Sequence, residues 1–223
     1  ISSVIDSYNG HFESQESKQI LRSDKTIQYF GVTLGAGAGK LSYLKFGSSQ
    51  YDFTTDFPVR IGVDWHIIPA TLKGRLQVRN QLSYEWYKTA ASKSYTMSPV
   101  NYLDNLTFAP GSLILTNSAR LYVSCQSLKF FVGAGITNSY FLHAKNELIR
   151  QSTIVSTTET ETYAAVRDLV KYHLFYTVGV GIEYGRLGLE LRFDPAKSLT
   201  KISSIDIFHQ GLLFMLTYRF IDL

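Results

Sequence analysis

Between positions 57 and 67 the apolar residues Phe57, Val59, Ile61, Val63, Trp65 and Ile67 alternate with Pro58, Arg60, Gly62, Asp64 and His66. Side chains of a strand point alternately to its two faces, so a period of two marks a two-faced strand, and no helical period fits. The same rhythm returns over residues 29–38, 75–87, 130–140, 173–184, 187–194 and 211–220. A further strand over 106–123 changes phase midway, because Leu106 and Phe108 share one parity and Leu113, Leu115 and Leu121 the other. A bulge near Pro110 and Gly111 accounts for the reset, since both residues are tolerated there. The count is about eight strands.

The connections alternate in length. Short ones fall at 69–73, 123–128 and 185–187, and long ones at 40–56, 88–105, 144–171 and 195–204. Tight turns at one end and long loops at the other are the rhythm of an antiparallel up-and-down meander. A short helix is expected over 161–171, inside the third long loop. Residues 1–26 are polar and stand apart, so the chain divides into a polar N-terminal segment, 1–26, and a barrel, 27–223.

Alternation leaves open which face meets water, and the kinds of charge decide it. Lysines sit in connections, in the tail or at strand ends: Lys40, Lys45, Lys73, Lys88, Lys93, Lys129, Lys145, Lys171, Lys197 and Lys201. The polar faces of the strands carry arginine with carboxylates instead: Arg60, Asp64, Arg75, Arg79, Glu85, Arg120, Glu183, Glu190, Arg192 and Arg219. The planar guanidinium suits enclosed multidentate pairing. The remaining polar-face positions are mostly Gly, Ser, Thr and Gln, which fit a crowded interior, so these ten residues are expected to form a charge network in the lumen. The apolar face places Trp65, Tyr84, Trp86, Tyr140, Tyr176, Tyr184 and Tyr218 toward strand ends, as an interfacial aromatic girdle does. The expected fold is all-β: an antiparallel, up-and-down, eight-stranded transmembrane β-barrel. A soluble ligand-binding barrel, with the apolar face inward, is the structural alternative.

Composition narrows this further. A chain of 223 residues fits one domain. Only 18% of residues are charged and 14% are aromatic, which argues against disorder. No run approaches the roughly 18 apolar residues a membrane helix needs. The single cysteine, Cys125, excludes an internal disulfide and a clustered thiolate metal site. Residues 1–26 lack the succession of a signal peptide, which leaves a cytosolic chain or a processed mature end. The net charge of +4 does not point to nucleic acid, because the arginines are committed to carboxylates and no basic stripe remains.

Several segments together resemble the small eight-stranded outer-membrane barrels of the OmpA/OmpX type, and in particular the broad outer membrane protein beta-barrel, or porin-like, family. They are the glycine-rich residues 31–39, residues 106–115 around Pro110, Phe-Phe-Val-Gly-Ala-Gly at 130–135, Val-Gly-Val-Gly-Ile-Glu-Tyr at 178–184, and the last strand. In that strand Gln210, Gly211, Phe214, Leu216, Tyr218 and Phe220 resemble the assembly signal of such barrels. The usual terminal aromatic is replaced here, since Phe220 is followed by Ile221, Asp222 and Leu223. The resemblance covers roughly residues 27–220 and implies a Gram-negative outer membrane, periplasmic termini, surrounding lipid and lipopolysaccharide, and barrel assembly machinery during insertion.

No catalytic constellation stands out. Gly35, Gly37 and Gly39 precede Lys40 without completing a phosphate loop, because Leu34 and Leu41 occupy two required places. His11, His66, His143, His173 and His209 show no metal-ligand spacing, and no metal or cofactor is expected. Asp64 and His66 share a strand face, where an interior hydrogen bond suffices. Ser204 and His209 are the nearest pair for lipid-modifying chemistry. The expected function is therefore non-enzymatic: a barrel with a plugged polar lumen, acting through its long loops as an accessory subunit of an envelope protein complex or as an adhesion or integrity protein. Tyr43, Phe46, Tyr51, Phe53, Tyr95 and Tyr102 are the candidate partner contacts in those loops. A narrow pore for small solutes and a lipid-modifying enzyme are the other readings.

Overall fold

The computed structural model describes residues 26–45, 51–53, 55–70, 75–125, 127–166, 168–200 and 205–222; the side chains at 43–45, 51–52, 196, 205–207 and 221–222 fall outside that description. The strands are β1 (Ile27–Lys45), β2 (Tyr51–Asp52), β3 (Val59–Ile68), β4 (Leu76–Trp86), β5 (Thr89–Met97), β6 (Val100–Cys125), β7 (Leu128–Ile154), β8 (Thr157–Tyr163), β9 (Tyr172–Tyr184), β10 (Leu187–Ser198) and β11 (Ile205–Asp222). Eight of them form a closed antiparallel ring in the order β1, β3, β4, β6, β7, β9, β10, β11 and back to β1. Closure leaves the ring no free edge, which hydrocarbon would be unable to hydrogen-bond.

The alternation in sequence becomes an alternation of environment. Leu34 is 54% exposed, Val180 52% and Phe214 68%, whereas Arg79 and Arg192 are 0% and 1% exposed. Apolar side chains thus cover the outside and charge fills the inside, so the soluble alternative with its apolar face inward does not describe this chain. On β9 the outward residues run from Tyr172 to Tyr184. At about 3.4 Å per residue and a tilt of about 40°, that spans roughly 30 Å along the axis, enough for the hydrocarbon layer and its rims.

Both described ends of the chain lie at the short-turn end, because Ile27 pairs with Ile68 and Tyr29 with Asp222. The opposite end departs from the expected loops. β6 and β7 continue far past the ring and carry β5 and β8 on their flanks, so β5, β6, β7 and β8 make a four-stranded sheet projecting beyond the rim. Much of the long connections expected at 88–105 and 144–171 is therefore strand. The expected bulge is present, as the β6–β7 register shifts between Gly111 and Ser112, where the pair leaves the ring. The helix expected over 161–171 is not formed: residues up to Tyr163 pair with β7, Ala165 and Val166 turn into the barrel mouth, and Leu169 bridges to Thr200. The threonine-rich run entering that stretch favours strand over helix.

Candidate functional site

The lumen is built in storeys, each bringing together strands distant in sequence. Near the short-turn end Glu183 receives Arg120 at 3.3 Å and also pairs with Arg219. The Tyr122 hydroxyl stands 2.7 Å from Glu183, and the Arg219 guanidinium lies 4.4 Å above the Tyr29 ring. At mid-height Arg79 donates to Asp64 at 2.9 Å and to Glu190 at 2.7 Å. Glu190 also takes Arg192 at 3.0 Å and pairs with Arg120, so one carboxylate serves three guanidiniums. Higher still Arg60 bridges Glu85 at 2.5 Å and Asp194 at 2.8 Å, and Thr177 donates to Asp194 at 2.7 Å. Arginine's fork-shaped donor set makes this multiple pairing possible.

At the far end the chemistry changes. His209 lies 3.1 Å from Asp56 and stacks on Tyr87 with ring centroids 4.3 Å apart. Above them Leu41, Tyr87, Phe108, Phe141, Val166 and Leu199 form an apolar plug. Asn146 pins it from β7, donating to the Val166 carbonyl at 2.8 Å and accepting from the Val166 amide at 2.7 Å. Ion pairs thus join Arg60, Arg79, Arg120, Arg192 and Arg219 to Asp64, Glu85, Glu183, Glu190 and Asp194, with Asp56 and Lys197 buried beside them. An eight-stranded interior is just wide enough for side chains to fill it, and these do so largely as ion pairs.

The residues singled out from sequence divide clearly. Arg60, Asp64, Arg79, Glu85, Arg120, Glu183, Glu190, Arg192 and Arg219 are joined in the ion-pair lattice. Arg75 is corrected: it shares the lumen parity but stands just before β4 and is exposed at the rim. Lys197, assigned to a connection, is buried, with its ammonium 5.0 Å from the Phe175 ring. A register shift between Asp194 and Lys197 turns it inward. Asp194 shares the polar face of Glu190 and Arg192 in sequence and joins the lattice through Arg60 at 2.8 Å. The Asp56–His209 pair is not among the sequence expectations.

Of the partner-contact candidates, Phe46 and the side chains of Tyr43 and Tyr51 lie outside the described residues. Phe53 is corrected from an exposed contact to an internal one, half-buried against both apolar clusters at the mouth. Tyr95 and Tyr102 stack with centroids 5.1 Å apart on the projecting sheet, and Arg150 lies 5.7 Å from the Tyr102 ring. Beside them Arg150 donates to Asp104 twice, at 2.8 Å. The last-strand residues Gln210, Phe214, Leu216, Tyr218 and Phe220 all face outward, with Gly211 turned in, and β11 closes the ring on β1. His209 points into the lumen, away from lipid, while Ser204 lies outside the described residues. That orientation removes the lipid-accessible pair. Asp64 and His66 are both buried in the lumen, where Asp64 is bound by Arg79 and His66 stacks on Tyr29.

An apolar exterior with aromatic rims around an ion-bridged interior defines a membrane-spanning β-barrel of the small, eight-stranded outer-membrane type. No protein-family model matches the sequence, and no curated relative matches it. Among solved structures the fold is similar to Neisserial surface protein A, with 14% identity, a TM-score of 0.41 and coverage of 86% of this chain and 97% of that one. It is also similar to Ail, the attachment invasion locus protein of Yersinia pestis, with 8% identity, a TM-score of 0.34 and coverage of 86% and 99%. LpxR from Salmonella typhimurium matches with 9% identity, a TM-score of 0.32 and coverage of 88% and 100%. At such identities and scores these likenesses carry no conclusion about activity.

Proposed function

We propose that the protein is a non-enzymatic barrel of the Gram-negative outer membrane, with periplasmic termini, that works through its projecting sheet as an accessory subunit of an envelope complex or as an adhesion or integrity protein. The observation that carries this reading is the contrast between the barrel's two working regions. The lumen is sealed by paired charge and an apolar plug, whereas β5 and β8 with the ends of β6 and β7 form a sheet that projects beyond the ring, with β5 and β8 as its outer strands. Strand edges are sites where another chain can add by backbone hydrogen bonding.

Affinity purification from native membranes tests it. The intact protein is expected to retain a specific envelope partner. A variant lacking residues 92–105 and 149–162 is expected to lose that partner while keeping heat-modifiable gel migration, the mark of a closed barrel. Retention of the same partner by the trimmed protein would overturn the reading. The pore alternative predicts steady single-channel conductance in planar bilayers; this reading predicts none.

A further inference from the structure

The outer wall is not uniformly convex. A groove of about 670 Å³ crosses the outer wall from Trp86 on β4 over β3, β1, β11 and β10 to β9, within the ~300–1,000 Å³ range of small-molecule sites. At its β1 end the floor is small because the outward residue there is Ala36, with Ala38 next above it on the strand, while Leu34, Ile61, Trp86 and Phe214 rise around it. Register explains the hollow: Ala36 pairs with Val59 and Phe214, Val59 with Trp86, and Ala38 with Leu212.

Two lysines stand directly above. Lys40 follows Ala38 at the same outward parity on β1, and Lys88 follows Trp86 beyond β4; both are exposed. The row through Trp86, Val59, Ala36, Phe214, Leu191, Val180, Val132 and Leu121 descends from the top of β4 to the bottom of β6. Strand β4 is thus offset upward from β1 by two strand spacings. With about 4.8 Å per strand and a tilt of about 40°, that offset is about 6 Å, close to the rise of two residues along β1. Lys40 and Lys88 therefore share a level, roughly 12 Å apart around the wall, with exposed Phe57 between and just below them.

We propose that this groove binds an anionic membrane lipid, with an acyl chain over Ala36 and Ala38 between Trp86 and Phe214, and the lipid phosphate between the Lys40 and Lys88 ammonium groups. The apolar slot and the cations above it match the two halves of such a lipid, and cations at the membrane surface draw anionic headgroups. The proposal rests on the outward face meeting hydrocarbon, and its test separates the two.

The chain has two tryptophans, so Trp65→Phe leaves Trp86 as the only indole reporter, on the wall of the groove. The full chain carrying that change is reconstituted in phosphatidylcholine vesicles containing a few mole per cent of lipid brominated on its acyl chains. Brominated phosphatidylglycerol is expected to quench Trp86 at least twofold more than brominated phosphatidylcholine at equal fraction. Lys40→Gln with Lys88→Gln is expected to abolish the difference, and Ala36→Leu to reduce quenching by the anionic lipid without touching either lysine. Gel migration confirms that each variant is a closed barrel. Equal quenching by both lipids, however weak, overturns the site but leaves the membrane face intact; no quenching in vesicles made wholly of brominated phosphatidylcholine overturns the membrane face itself.

Discussion

Glu190 is the residue on which most lumen charge converges, since Arg79, Arg120 and Arg192 all pair with it. Removing one partner from a buried ion cluster strands the others away from water, at a cost of about 3–5 kcal/mol. Glu190→Gln is expected to lower the unfolding free energy of the reconstituted barrel, read from urea titration, by that much. Lys145→Ala, which breaks an exposed pair with Glu147, is expected to change stability by no more than ~1 kcal/mol in the same measurement. Glycines make a second contrast. A Cβ on Gly37 would stand 2.0 Å from the Leu212 carbonyl oxygen, a backbone atom across the seam where first and last strands meet, whereas one on Gly133 would meet the flexible Arg120 side chain at 3.2 Å. Gly37→Ala is expected to abolish the heat-modifiable form on gels and Gly133→Ala to retain it. Most of the lattice was legible in sequence because its members keep one parity within long alternating runs. Arg75 was misassigned for the same reason, because parity carries on past the end of a strand. Lys197 was hidden because a register shift reverses parity without any sign in composition.

For the elements, the ring was readable and the projecting sheet was not. Ring strands oppose hydrocarbon on one side and packed charge on the other, and that contrast is what period two records. β5 and β8 have no such contrast: Thr-Ala-Ala-Ser-Lys-Ser-Tyr-Thr-Met and Thr-Thr-Glu-Thr-Glu-Thr-Tyr are polar on both faces, like loops. They are strands because β6 and β7 offer them edges. The plug was equally invisible, since it joins Leu41, Tyr87, Phe108, Phe141, Val166 and Leu199 from six separate segments. Its pin is testable. Asn146→Ala removes both side-chain hydrogen bonds to the Val166 backbone. Amide exchange at Val166 is expected to rise about tenfold, equivalent to ~1.4 kcal/mol of local opening, with the β9 amides unchanged.

At the level of the whole molecule, the proposed orientation is tested at one atom. Cys125 is the only cysteine, is exposed, and lies at the end of β6 beside the tight turn to β7. With the short-turn end in the periplasm, a membrane-impermeant maleimide is expected to leave Cys125 unlabelled on intact cells and to label it once the outer membrane is opened. Labelling of intact cells would invert the proposed orientation.

The same architecture bears on how the barrel is made. Arg60 finds Asp194 across 134 positions, and Arg79 finds Glu190 across 111. A partly zipped sheet entering the bilayer would hold early guanidiniums with their carboxylates still on strands not yet delivered, a state hydrocarbon strongly disfavours. The ionic lattice therefore acts as a checkpoint on completeness, tolerating only a chain whose last strand has already come home to its first.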